Sequence, residues 1–125
     1  VIIFGVPGAF TPTCSEKHVP SFLNFNDQLK AKGIEDIYCI SVNDVFVMKA
    51  WLASYAKGNL IKGIADGNAD FTKEMDLLAD YSGNFMGNRC KRFVLIAENN
   101  LITNFNIEKK GQYLVSSAEY ILDQL

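Results

Sequence analysis

One stretch constrains this chain more than any other: Val1-Ile2-Ile3-Phe4-Gly5-Val6-Pro7-Gly8-Ala9-Phe10-Thr11-Pro12-Thr13-Cys14-Ser15. Its opening is a short apolar run without polar alternation, the pattern of a buried strand. Gly5 and Pro7 break the run, and a Gly- and Pro-rich turn follows. Thr11, Thr13 and Ser15 are cap-type residues, and Pro12 suits a first helical turn. Cys14 is therefore expected in the first turn of a helix, where unpaired N–H groups and the helix dipole favour an anion. A thiol placed there is set up to act as a thiolate nucleophile.

Periodicity carries the reading onward. Cys14 to Lys32 reads as one helix, with Val19, Phe22, Leu23 and Leu29 near one face and a kink or restart at Pro20. Gly33 is its natural stop. Ile34 to Val42 reads as a strand, and Asn43-Asp44 caps a helix from Val45 to about Lys57. Leu60 to Ala65 reads as a third strand, Asp66-Gly67-Asn68 as a turn, and Asp70 to Leu78 as a short helix. Ser82 to Asn88 reads as loop. Arg89 to Ala97 and Leu101 to Ile107 form a hairpin across Asn99-Asn100. Glu108 to Tyr113 reads as a polar connection, and Ser116 to Glu119 as a capping box opening a last helix. That order predicts an α/β sandwich with a mixed central sheet flanked by helices, one domain over residues 1–125.

Composition bounds the function. At 125 residues the chain fits one domain with a real core, and a net charge of −2 disfavours nucleic acid or anionic membrane as main partner. Apolar runs fall well short of the roughly 20 residues of a membrane-spanning helix. Cys14, Cys39 and Cys90 are an odd set with no CxxC, which points to a reducing compartment and functional or buried thiols.

The opening motif, Pro7-x-x-x-Thr11-x-x-Cys14 within Pro7-Gly8-Ala9-Phe10-Thr11-Pro12-Thr13-Cys14-Ser15, resembles the active-site signature of peroxiredoxins, in particular the type II, peroxiredoxin-five-like subfamily. Further landmarks are Glu16-Lys17-His18-Val19-Pro20, Ile40 to Val47 with Trp51, and Gly87-Asn88-Arg89-Cys90-Lys91-Arg92-Phe93. The resemblance covers the whole chain. It implies a thioredoxin-like fold, with an N-terminal strand or hairpin expected before Val1. It also implies a thiol-dependent peroxidase that reduces hydrogen peroxide and alkyl hydroperoxides, serving antioxidant defence and cell redox homeostasis. Cys14 is then the peroxidatic nucleophile. Arg92 favours the thiolate and holds a peroxide oxygen, Thr11 accepts from the peroxide and donates to sulfur, and Pro7 shields the thiolate. Phe10 and Trp51 are expected as apolar pocket walls, with His18 a hydrogen-bonded residue beside the pocket.

Recycling the sulfenic acid needs a second sulfur. Some relatives carry a resolving Cys just before the last helix, but this chain reads Tyr113-Leu114-Val115-Ser116-Ser117 there. Cys39 reads as a mid-strand core thiol. Cys90, by strand alternation, shares a face with Arg92 near the pocket rim. Both remain candidate resolvers, but the expectation is a one-Cys enzyme recycled by glutaredoxin with glutathione, or by thioredoxin. No metal or cofactor is implied, and a homodimer is expected by resemblance. The compartment is a reducing one, cytoplasmic or organellar, any N-terminal targeting sequence being out of view. Two other classes compete: a Cys14–His18 hydrolase or acyltransferase, and a redox-regulated interaction module without turnover.

Overall fold

The computed structural model describes residues 1–125. Strand β1 (Ile2–Gly5) lies at the centre of a five-stranded sheet ordered β3-β2-β1-β6-β7. Its neighbours are β2 (Ile37–Ser41), parallel, and β6 (Phe93–Glu98), antiparallel. β3 (Lys62–Ala65) continues the parallel half, and β7 (Leu101–Ile107) closes the other edge as a hairpin with β6. A central strand is covered on both faces, which is why β1 carries no polar alternation. The sheet is thus the mixed one expected.

Side-chain alternation divides the core between the two faces. Ile2, Phe4, Ile37, Cys39, Val94 and Ile96 point to one face. Phe22 and Leu29 from the first helices, Met48 and Trp51 from α3 (Val45–Ala53), and Ile121 from α5 (Ala118–Leu122) pack on it. The Phe4 and Phe22 rings stack there at 4.3 Å between centroids. Ile40, Phe93 and Leu95 point to the other face, with Leu77 and Cys90 against them. Gly5 is obligatory beside that second group: a Cβ there would meet the Phe93 ring at 2.1 Å. No helix is long and apolar enough to cross a membrane.

Four expectations need correcting. The 14–32 helix is three pieces: a π-helical turn at Cys14–His18, α1 (Val19–Asn24) and α2 (Asn26–Ala31), restarting at Val19 beside Pro20 and breaking again at Phe25. Val19 N–H bonds the Cys14 carbonyl and Pro20 has no N–H to offer, so the π turn gives way to α1 at the proline. The 70–78 helix ends early: α4 is Asp70–Glu74, and β4 (Leu78–Asp80) pairs with β5 (Asn88–Cys90) as a separate ribbon. The 89–97 strand is likewise two, broken at Lys91-Arg92, where Lys91 N–H leaves the ribbon for the Leu77 carbonyl at 2.7 Å. The last helix is capped by Ser117, whose hydroxyl accepts from Tyr120 N–H at 3.1 Å, while Ser116 is committed elsewhere.

Candidate active site

The π turn places Cys14 at the end of β1, its side chain 1% exposed. Ser15 N–H closes on the Thr11 carbonyl at 2.9 Å, whereas no acceptor within the protein takes the N–H groups of Thr13 and Cys14. These free donors face the helix start, as the position of Cys14 in the motif requires. The loop before them is pinned by Asn43, whose Oδ1 accepts from Ala9 N–H at 3.0 Å and from the Ser41 hydroxyl at 2.6 Å. Arg89 braces the same region, donating to the carbonyls of Met86 at 2.8 Å and Val42 at 2.9 Å. Phe10 adopts a left-handed backbone, φ 64°, a strained conformation for an aromatic residue in this loop.

The π turn leaves the Ser15 carbonyl without its helical donor, since Val19 N–H is spent on Cys14 and Pro20 has none. Tyr55 fills the gap, its hydroxyl donating to that carbonyl at 2.7 Å, and Trp51 Nε1–H donates to the Ser15 hydroxyl at 3.0 Å. Trp51 is therefore not a pocket wall. It is 1% exposed and supports the turn from behind. Phe10 is 59% exposed to solvent. Polar geometry of this kind follows from the π turn, which the helical pattern alone does not reveal.

Arg92 enters from the break between β5 and β6 and is 9% exposed. Its Nη2 donates to Cys14 Sγ at 3.2 Å, and its Nη1 to His18 Nδ1 at 3.0 Å. A guanidinium only donates, so Nδ1 must be the acceptor and Nε2 carries the proton. That N–H donates to the Ser116 carbonyl at 2.9 Å. The Tyr113 ring covers Arg92, 5.7 Å from Cζ to the ring centroid. Thr11 donates to the Gly8 carbonyl at 2.7 Å rather than to sulfur, leaving its oxygen lone pairs to accept. Pro7, Thr11, Arg92 and Tyr113 line a cleft of about 1110 Å³, behind which the thiol sits.

The other two thiols lie apart from this cleft. Cys39 and Cys90 are both fully buried and free. Cys90 does not share a face with Arg92, because the break at Lys91-Arg92 interrupts the alternation and leaves Cys90 in the second core group. Burial pushes its thiol up to about 12. Burial likewise raises Cys39 well above the usual thiol range. No group of three or more His, Cys, Asp or Glu side chains is arranged to hold a metal ion.

His18 is completely buried and hydrogen-bonded. Burial, then the Arg92 charge, lower it from 6.5 to about 3, partly opposed by the Ser116 carbonyl. Below 6.5 the unfolded chain takes up a proton that the folded chain refuses, so this contribution to stability is full above 6.5 and is lost as pH falls toward 3. Between pH 7 and pH 5 the loss is about 2 kcal/mol. Urea unfolding at the two pH values should show it, and His18→Gln should remove that part of the difference; an unchanged difference would mean His18 titrates freely.

The whole chain has recognisable relatives. The Redoxin family matches residues 1–122. Peroxiredoxin-2C of Oryza sativa subsp. japonica is 53% identical over 125 residues, all of this chain and 77% of its own length. Reduced Prx3 in complex with H2O2 from Vibrio vulnificus superposes with a TM-score of 0.95 at 47% identity, over 99% of this chain and 80% of that one. The Plasmodium falciparum antioxidant protein, a 1-Cys peroxiredoxin, superposes with a TM-score of 0.88 at 38% identity, over 98% of this chain and 73% of that one.

Proposed function

Since this chain belongs to the peroxiredoxins, thiol-dependent peroxidases that take a peroxide substrate and a thiol reductant, we propose that Cys14 is its peroxidatic sulfur, with Arg92, Thr11 and Pro7 completing the site. The observation that carries this reading is the Arg92 Nη2–Cys14 Sγ contact of 3.2 Å in a buried setting. A fixed cation beside sulfur favours the thiolate, the form that attacks.

The chemistry follows from the geometry. The thiolate attacks the far oxygen of ROOH, the S–O bond forms and the O–O bond breaks. The electron pair leaves on RO⁻, which takes a proton to become ROH. Arg92 and the free N–H groups of Thr13 and Cys14 face the charge developing on the oxygens, and Thr11 accepts the peroxide O–H. Cys14 is left as a sulfenic acid. An external thiol then forms a mixed disulfide with release of water, and a second thiol restores Cys14.

One-Cys recycling is the favoured mode. Cys39 and Cys90 are buried with their ionisation suppressed, and Cys is absent from the segment before α5. Glutaredoxin with glutathione, or thioredoxin, fits the external role. Three thiols without a disulfide suit a reducing compartment, cytoplasmic or organellar. A homodimer is favoured by exposed Phe10, Val45 and Phe46, neighbours through the Ala9–Asn43 bond.

The hydrolase alternative asks His18 to act as a base toward Cys14. Its Nδ1 lone pair is spent on Arg92 and its Nε2–H on Ser116, so no observation favours that reading. The deciding experiment is intact mass after one equivalent of hydrogen peroxide, with and without dimedone, the native mass of the same sample reporting the dimer. A dimedone adduct on Cys14 is expected. Loss of two hydrogens without an adduct would overturn the one-Cys mode, and an unchanged mass would overturn the role of Cys14.

A further inference from the structure

We propose that Glu108 is a positioning residue for Arg92: its buried carboxylate fixes the 113–116 segment, and that segment, with His18, sets the aim of the guanidinium at Cys14. The inference rests on the reading of Arg92 as the group facing the reacting sulfur. Glu108 is 6% exposed, in a stretch whose composition reads as a polar connection. A buried carboxylate is tolerated only when its oxygens are satisfied. Here one oxygen, Oε2, accepts four donors: the N–H groups of Leu114 at 2.7 Å, Val115 at 2.8 Å and Ser116 at 3.1 Å, and the Ser116 hydroxyl at 2.8 Å. The segment is folded around that oxygen.

Two groups on the segment face Arg92 or its partner. The Ser116 carbonyl takes the Nε2–H of His18 at 2.9 Å, which fixes the tautomer that offers Nδ1 to Arg92 Nη1 at 3.0 Å. The Tyr113 ring covers the guanidinium at 5.7 Å and meets the His18 ring edge-on at 5.3 Å. With Nη1 held by His18 and the plane held by Tyr113, Nη2 points at sulfur, 3.2 Å away. Glu108 also grips Arg92 at the backbone. Phe93 and Ile107 are paired, so Arg92 and Glu108 face each other at the end of the ladder, and Glu108 N–H donates to the Arg92 carbonyl at 2.9 Å. One residue thus controls both where Arg92 starts and where its side chain ends. A long, flexible arginine bonds productively only when its plane is set in advance.

The test uses the full chain with Glu108→Gln, which keeps the shape but removes the charge that gathers four donors. Circular dichroism and melting first establish that the variant is folded. The second-order rate of Cys14 oxidation by hydrogen peroxide should fall about tenfold. In an Arg92→Ala background the same substitution should change the rate less than about twofold, since its target is gone. An unchanged rate in the folded variant, or an equal tenfold loss without Arg92, would overturn the proposal. Should Glu108→Gln not fold, Ser116→Ala removes one donor only. A two- to threefold slower oxidation then supports the role, and an unchanged rate overturns it. If the unsubstituted protein does not consume peroxide, the parent reading fails and this one with it.

Discussion

Cys14→Ser should reduce peroxide turnover to the uncatalysed level while leaving the fold intact. The change is nearly isosteric, and the site that holds Sγ, a π turn and a core of Phe4, Phe22 and Trp51, has no need of sulfur to form. On the proposed role of Cys14, what is lost is the nucleophile. The sulfur that Arg92 reaches at 3.2 Å is a far better nucleophile than a serine hydroxyl, which stays protonated near neutral pH and has no neighbouring base. His18 cannot substitute as that base, because its free lone pair already accepts from Arg92. Removal of a nucleophile typically costs on the order of 10⁴-fold or more. Peroxide consumption followed with a dithiol reductant measures the effect, and melting temperature controls for folding. Retained turnover in folded Cys14→Ser protein would place the chemistry on another sulfur, with Cys39 first in line because it shares the core group of Cys14.

Those features of the site carried by contiguous residues were legible in the sequence; features that depend on the path of the chain were not. The strand–turn–thiol order of residues 1–15 placed Cys14 at a helix start, and short apolar runs bounded by turn residues marked the strands of the mixed sheet. Each of these signals is local, so no tertiary information was needed to read it. Cys90 shows the limit. Alternation along 89–97 assumed one continuous strand, and a two-residue break at Lys91-Arg92 sent Cys90 and Arg92 to different places. Trp51 shows another. It fits an apolar wall by type, but its indole N–H supports the turn from behind through the Ser15 hydroxyl. A π turn differs from an α turn by one residue and leaves no distinct hydrophobic period. Glu108 and Ser116 show a third. A lone carboxylate among Lys, Gly and Gln reads as solvent-exposed, and its burial depends on three backbone N–H groups folding back onto it from six to eight residues away. The capping box at Ser116 failed for the same reason: Glu108 already held that hydroxyl, and the helix began one residue later.

Arg92→Lys should be almost as damaging as Arg92→Ala, although it keeps the positive charge. If charge alone favoured the thiolate, a lysine ammonium in the same space would serve, and oxidation by peroxide would slow only slightly. The geometry argues otherwise. Arg92 divides a rigid fork between two acceptors, Nη1 on His18 and Nη2 on sulfur, with its face against Tyr113. A single ammonium on a flexible stem cannot keep both bonds at once or stack as a plane. Whichever partner it abandons is buried: His18 loses the donor to its Nδ1, or sulfur loses its cation. Removing one preorganised donor from a developing oxyanion costs about 10²–10³-fold in rate. Both variants should therefore slow Cys14 oxidation by about that factor. Stopped-flow oxidation of each variant by hydrogen peroxide reads this directly. A lysine variant within about threefold of the natural protein would show that the site needs a charge and not a fork, and the His18 contact would then serve folding alone.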